Sequence, residues 1–151
     1  MFNSIKSLVN LQPFIEYTKT LKYKHDDTTV LMAHAPSTPV KDFLDNYLTI
    51  KKEIEEYRKS KIKYIMVNTI LPGTEVPIHT DTLPYQLHHE RWHLVLTGDK
   101  SIWWDEENGE HILIPGYWYG PMKYWINHSV ANRGTIARTH LILDLERIHG
   151  N

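Results

Sequence analysis

The sequence predicts a mainly β fold with its helices confined to the N-terminal part, and three observations carry that prediction. After Ser60 the chain breaks into short runs rich in β-branched and aromatic residues: KIKYIMVNTIL, RWHLVLTG, SIWWDE, EHILI, MKYWIN and ARTHLILDLE. Between these runs lie LPGTE, TGDK, EENGE, PGYWYGP and NRGT, all of which carry turn chemistry. Before Ser60, apolar residues recur at helical spacing instead. Regularly spaced strands with no helix between them point to an antiparallel barrel or sandwich. The expected architecture is therefore two helices flanking a double-stranded β-helix, a jelly-roll barrel of the cupin kind.

The elements follow in order. Leu11 to Leu21 forms a short amphipathic helix with Pro13 near its start, where proline is tolerated. KHDDTTVLMAHAPS is a polar linker with one short strand around Val30 to Ala33. A second helix opens at Thr38-Pro39, a Thr cap with Pro in the first turn, and runs to about Arg58. Phe43, Tyr47, Ile50, Ile54 and Tyr57 share one face of it and pack on the sheet, while Lys51, Lys52, Glu55 and Glu56 decorate the other. In the β half, Asn108-Gly109 within DEENGEHI is the strongest hairpin signal. One domain is expected over residues 1–151, with 1–60 a helical support and 61–148 the barrel core.

Composition narrows the function. A chain of 151 residues with 41% hydrophobic and 23% charged residues is an ordinary globular one. The net charge of −1 leaves no electrostatic footprint for nucleic acid or an anionic membrane. Cysteine is absent, which removes disulfides, thiolate chemistry and Cys-ligated zinc. The N-terminus is a poor signal peptide and no run approaches the roughly 20 apolar residues of a membrane span, so a soluble cytoplasmic protein is expected. The partner expected is a small-molecule or peptide substrate, and the sequence leaves the oligomeric state open.

Ten histidines are the compositional oddity. In VPIHTDT, His79 and Asp81 sit at i and i+2, which share a face on extended backbone. An imidazole and a carboxylate side by side are two ligands for a borderline metal such as iron, although a lone H-x-D is as easily a surface turn. Far along the chain, His128 follows the aromatic run MKYWIN. If the barrel closes, His128 completes a two-histidine, one-carboxylate face with open positions for a co-substrate and dioxygen. Arg138 lies ten residues further on, within ARTHLILDLE. A guanidinium is the side chain suited to a fixed carboxylate such as the far end of 2-oxoglutarate, and a buried one is costly without an anion. Pairing with Glu146 or solvent at a strand edge is the plainer alternative. Arg91 and His93 alternate with Trp92 and Leu94, so the pair either projects into the barrel or is solvated behind a core face. His140 shares a face with Arg138 and can support a ligand from behind. His88 and His89 point opposite ways on a strand, and His25, His34, His111 and His149 are isolated and read as exposed.

The stretch from about Ile65 to Glu146 resembles the aspartyl/asparaginyl β-hydroxylase family of 2-oxoglutarate oxygenases. Prolyl hydroxylases acting on the free amino acid are similar in architecture. The resemblance rests on an ordered set: His79-Thr80-Asp81, Arg91-Trp92-His93-Leu94, Pro115-Gly116 with aromatics after it, Asn127-His128-Ser129-Val130, and Arg138. It implies that His79 and His128 hold Fe(II), that Arg138 binds the far carboxylate of 2-oxoglutarate, and that Arg91 and His93 lie at the co-substrate. Members that hydroxylate Asp and Asn residues in secreted proteins can lack the metal carboxylate, whereas Asp81 is present here. The expected activity is hydroxylation of an unactivated C–H of an amino acid or a peptidyl Asp-, Asn- or Pro-like side chain. It consumes O2 and releases succinate and CO2. A metal-dependent cupin that ignores 2-oxoglutarate, and a barrel without metal that only binds, are the alternatives. The segment Thr82 to His89 is expected to shape substrate choice.

Overall fold

A computed structural model describes residues 2–19, 28–34, 44–81 and 89–147. Its order is β1 (Asn3–Lys6), α1 (Gln12–Thr18), β2 (Thr28–His34), α2 (Leu44–Arg58), β3 (Ile62–Ile70), β4 (Glu75–His79), β5 (His89–Thr97), β6 (Ser101–Asp105), β7 (Gly109–Leu113), β8 (Tyr117–Met122), β9 (His128–Asn132) and β10 (Arg138–Glu146). The strands form a six-stranded sheet in the order β1-β8-β5-β10-β3-β2 and a four-stranded sheet in the order β4-β9-β6-β7. Every described pairing is antiparallel. Two antiparallel sheets whose neighbours are mostly non-consecutive in sequence make the expected jelly-roll barrel, with the helices on one side.

The larger sheet is buried on both faces, and alternation along its strands divides the work. On its outer face Trp92, Leu94, Leu96, Leu141, Leu143 and Leu145 meet Phe14 of α1 and Tyr47, Ile50 and Ile54 of α2. On its inner face Val95, Tyr119 and Met122 meet Trp103 and Leu113 from the smaller sheet. The polar residues between those on the inner face therefore point into the barrel.

Helix α2 buries the predicted stripe at Tyr47, Ile50 and Ile54, but Tyr57 is 49% exposed and only edges onto Trp92. Phe43 and the Thr38-Pro39 start lie outside the described residues. Glu55 is not a solvated decoration: it is buried, accepts the backbone N–H of Ile62 and a 2.6 Å contact from Lys51, and so ties the end of α2 to β3. Helix α1 is shorter than predicted, ending at Thr18, with Pro13 in its first turn.

Two strands differ from the sequence expectation. YWYGP, expected within a turn, belongs to strand β8, and of the expected strand MKYWIN only Met122 is in a strand, the rest forming the turn that leads to β9. Gly120 and Pro121 look like breakers, yet a Cβ at Gly120 would lie 2.4–2.8 Å from the Trp92 indole, so the ring needs a glycine beneath it. β1 was not expected, because NSIK offers a single apolar residue. It exists by pairing with β8, Ile5 opposite Trp118. Glu53 of α2 pins the chain just after it, accepting from Ser7 Oγ, the Leu8 N–H and Trp118 Nε1 at 2.6–2.7 Å. The β6–β7 hairpin is as predicted, with Gly109 at φ +74° and Asp105 accepting the Glu107 and Asn108 N–H groups. Among the described residues, no helix is long and apolar enough to cross a membrane.

Candidate metal and co-substrate site

The barrel closes by pairing β4 with β9, and the register sets His79 directly opposite His128. Asp81 follows β4 and is held by its own N–H donating to the Tyr124 carbonyl at 2.8 Å. The three side chains converge: one donor atom from each lies within 4.8 Å of the others. His79 Nε2 is 3.5 Å from Asp81 Oδ1, and His128 Nε2 is 3.5 Å from Asp81 Oδ2.

Each ring is aimed by its far nitrogen. His79 Nδ1 donates to the Pro77 carbonyl at 2.7 Å, and His128 Nδ1 to the Ile126 carbonyl at 2.8 Å. A proton fixed on Nδ1 leaves the Nε2 lone pair free as a ligand. Trp103 stacks on His128 with ring centroids 5.1 Å apart and planes 10° apart, and its indole N–H is anchored on Asp105. Burial works to raise the Asp81 carboxyl, but the hydrogen bond and charge of His128, then His79 and Arg91, outweigh it and hold the group below the usual carboxylate range. Two imidazole lone pairs and one ionised carboxylate on one spot fit a first-row divalent ion.

Arg138 stands at the start of β10 and is 1% exposed. It is no strand-edge residue, and Glu146 lies at the other end of the strand, near Lys63. Its Nε donates to Ser101 Oγ at 3.3 Å and its Nη1 to Asn68 Oδ1. No carboxylate within ion-pair distance faces it among the described residues. Burial alone pushes its guanidinium down to about 9, still charged at neutral pH. An unpaired buried cation is a standing cost that a carboxylate ligand would relieve.

Arg91 and His93 both point into the barrel, which settles the alternation on β5. Arg91 is taken up in bidentate fashion by Asp144 at 2.7 and 2.9 Å, lies over the Tyr124 ring, and reaches Asp81 with Nη1 at 3.7 Å. Its charge thus serves the carboxylates of the site. His93 is buried, edge-on to Trp103 at 5.7 Å, with Nδ1 3.1 Å from His140 Nδ1. His140 in turn meets Ser101 Oγ at 3.3 Å.

Asp144, Asn68 and Ser101 escaped the sequence reading. Asp144 left a trace, because Arg138, His140 and Asp144 alternate on one face of an otherwise apolar strand. Asn68 and Ser101 left none. His111, expected to be exposed, is half-buried, bonded to the Asn108 carbonyl and edge-on to Phe2. His25, His88, His149 and most of Thr82 to His89 lie outside the described residues.

A two-sheet barrel with a His-Asp-His cluster at one seam and, among the described residues, a buried arginine without a carboxylate partner in its interior defines a cupin-like enzyme scaffold. The chain belongs to the aspartyl/asparaginyl β-hydroxylase family, whose model matches residues 18–148. A 2OG-Fe(II) oxygenase-family oxidoreductase from Burkholderia pseudomallei is similar in structure, with a TM-score of 0.66 at 14% identity over 99% of this chain and 85% of that one. A prolyl-4-hydroxylase from Pseudomonas putida is similar with a TM-score of 0.59 at 13% identity, over 97% and 92% of the two chains. These likenesses establish the shared fold. A DMSP lyase from Ruegeria pomeroyi matches at a TM-score of 0.42 and 17% identity over 58% of this chain, which spans only 40% of the lyase. No protein of curated function matches.

Proposed function

We propose that this protein is an Fe(II)- and 2-oxoglutarate-dependent hydroxylase acting on an unactivated C–H of an amino acid or a peptidyl side chain. The observation that carries the reading is Arg138, a fully buried cation without an anion, in the same barrel interior as the His79, Asp81 and His128 cluster.

His79, Asp81 and His128 would hold the iron and Arg138 the far carboxylate of 2-oxoglutarate, with Asn68 and Ser101 keeping the guanidinium in place. Bound together, iron and 2-oxoglutarate supply the redox chemistry, in which O2 and 2-oxoglutarate become succinate and CO2 and one oxygen atom enters the substrate C–H bond. The chain's own part is positioning. The carbonyls of Pro77 and Ile126 keep both imidazoles in the ligating tautomer. Asp144 neutralises Arg91, so that Arg91 does not compete with Arg138 for the dicarboxylate. Trp103, stacked on His128 and packed against Val95, Tyr119 and Met122, would keep water from that side of the cluster.

The test is succinate formation from 2-oxoglutarate with Fe(II) and ascorbate, with and without pools of amino acids and peptides. Wild type is expected to form succinate, His128→Ala to lose it, and Arg138→Ala to lose it through 2-oxoglutarate affinity. A protein that binds iron stoichiometrically yet forms no succinate under any condition would be a cupin of another chemistry.

A further inference from the structure

We propose that Ser101 and His140 are positioning residues that fix the tautomer of His93, so that His93 offers an N–H to an anionic oxygen bound beside Arg138. The inference rests on the reading of that pocket as a carboxylate site and names two residues that govern how the ligand is received.

The direction of the chain follows from what each group can give. A guanidinium has donors only. Arg138 Nε therefore donates to Ser101 Oγ, at 3.3 Å. A hydroxyl carries one proton and two lone pairs. If His140 Nε2 also donated to it, the buried Ser101 proton would have no side-chain acceptor among the described residues, so that proton goes to His140 Nε2 at 3.3 Å. His140 Nε2 is thus an acceptor. Burial first, and then the charge of Arg138, hold the His140 ring neutral, so its single proton sits on Nδ1. That Nδ1 lies 3.1 Å from His93 Nδ1 and donates to it. His93 is kept neutral by burial and then by Arg138, Arg91 and His128. With Nδ1 accepting, its proton must be on Nε2, and Nε2 has no protein partner among the described residues.

The chain crosses the barrel. Ser101 stands on β6 of the smaller sheet, whereas Arg138, His140 and His93 stand on β10 and β5 of the larger one. His93 also meets the edge of Trp103, whose face covers His128, so its free N–H belongs to the same interior as the metal cluster. Without the relay, a neutral imidazole could equally present a lone pair there, which would repel a carboxylate or keto oxygen. The fixed charge of Arg138 is thereby relayed into a second donor, some residues away from the guanidinium itself.

The tautomers can be read directly in metal-free protein labelled with 15N-histidine, by long-range 1H–15N correlation. Signals are assigned by their loss in His93→Gln and His140→Gln. Wild type is expected to show His93 protonated on Nε2 and His140 on Nδ1. Ser101→Ala, which removes the hydroxyl, should let His93 populate the Nδ1-protonated form, and Ser101→Thr should restore the wild-type pattern. In calorimetry with zinc as a redox-inactive ion, Ser101→Ala should bind 2-oxoglutarate about tenfold more weakly, with zinc affinity unchanged. His93 protonated on Nδ1 in wild type would overturn the proposal even if every variant failed to fold. So would a Ser101→Ala spectrum identical to wild type. Tautomers as stated in a protein that binds no 2-oxoglutarate would leave the relay standing and remove the proposed function.

Discussion

Arg138 carries a cost of burial that the proposed function would relieve. Its folded-state value of about 9 lies well below the ordinary guanidinium range, so the fold disfavours the charged form. That cost is fully present below about pH 9, where both folded and unfolded chains carry the charge, and it is relieved only as pH rises through about 9 toward the value of the free side chain. Removing the charge should therefore not harm the ligand-free protein. In urea unfolding at pH 7, Arg138→Met is expected to be within about 1 kcal/mol of wild type or more stable. The same variant should lose the stabilisation that 2-oxoglutarate gives wild type with a bound metal, which is about 2.7 kcal/mol at a hundred times the dissociation constant. A large loss of stability in the ligand-free variant would mean that Arg138 is a structural cation. At this scale much was readable: His79, Asp81, His128 and Arg138 all announce themselves by residue type, order and spacing. Asn68 and Ser101 do not, because a polar residue on a strand has no signature until its face is known to be the inner one.

At the scale of elements, strands were legible where β-branched runs alternate, as in β3, β5 and β10, and hairpins where Asn-Gly marks them. The shift from MKYWIN to YWYGPM has a local cause. Gly120 and Pro121 lower the strand propensity of β8, and the Trp92 indole over Gly120, a contact with a residue far away in sequence, overrides it. β1 depends likewise on non-local groups, since Ser7 and Leu8 just after it and Trp118 of β8 all donate to Glu53. Glu53→Ala should therefore cost about 2 kcal/mol in chemical denaturation and sharply reduce amide hydrogen-exchange protection in Ser4 to Lys6, with little change in the barrel strands. Unchanged exchange at these amides would show that sheet pairing with β8 alone holds the strand.

Over the whole molecule the interior charges are only partly paired. Arg91 is matched by Asp144 at 2.7 Å and reaches Asp81 at 3.7 Å, whereas Arg138 has no carboxylate within ion-pair distance among the described residues. A divalent cation alone would add two positive charges to a low-dielectric interior, and a dicarboxylate alone two negative ones, so each should favour the other. Thermal melts with Mn(II), with 2-oxoglutarate and with both are expected to show a joint rise in midpoint larger than the sum of the separate rises. An equal rise from 2-oxoglutarate in the presence of a chelator would sink the coupling. Acid should undo the metal part: the Asp81 carboxyl is held below its ordinary value, so its ligating charge is present at neutral pH and lost only as pH falls through that lowered value.

The sequence by itself determined the class of fold, most of the helical face of α2, the hairpin at Gly109 and the candidate trio His79, Asp81 and His128 that the barrel brings together, because periodicity, turn chemistry and ligand type are local properties of a chain. The tertiary structure decided what depends on contact across sheets. It gave Arg91 to Asp144, aimed the His79 and His128 rings through backbone carbonyls, and left Arg138 with no carboxylate in ion-pair reach among the described residues. It also joined Ser101 to His140 from the opposite sheet. Such pairings arise only when the barrel closes, and no spacing along the chain encodes which inward-facing groups will then stand 3 Å apart.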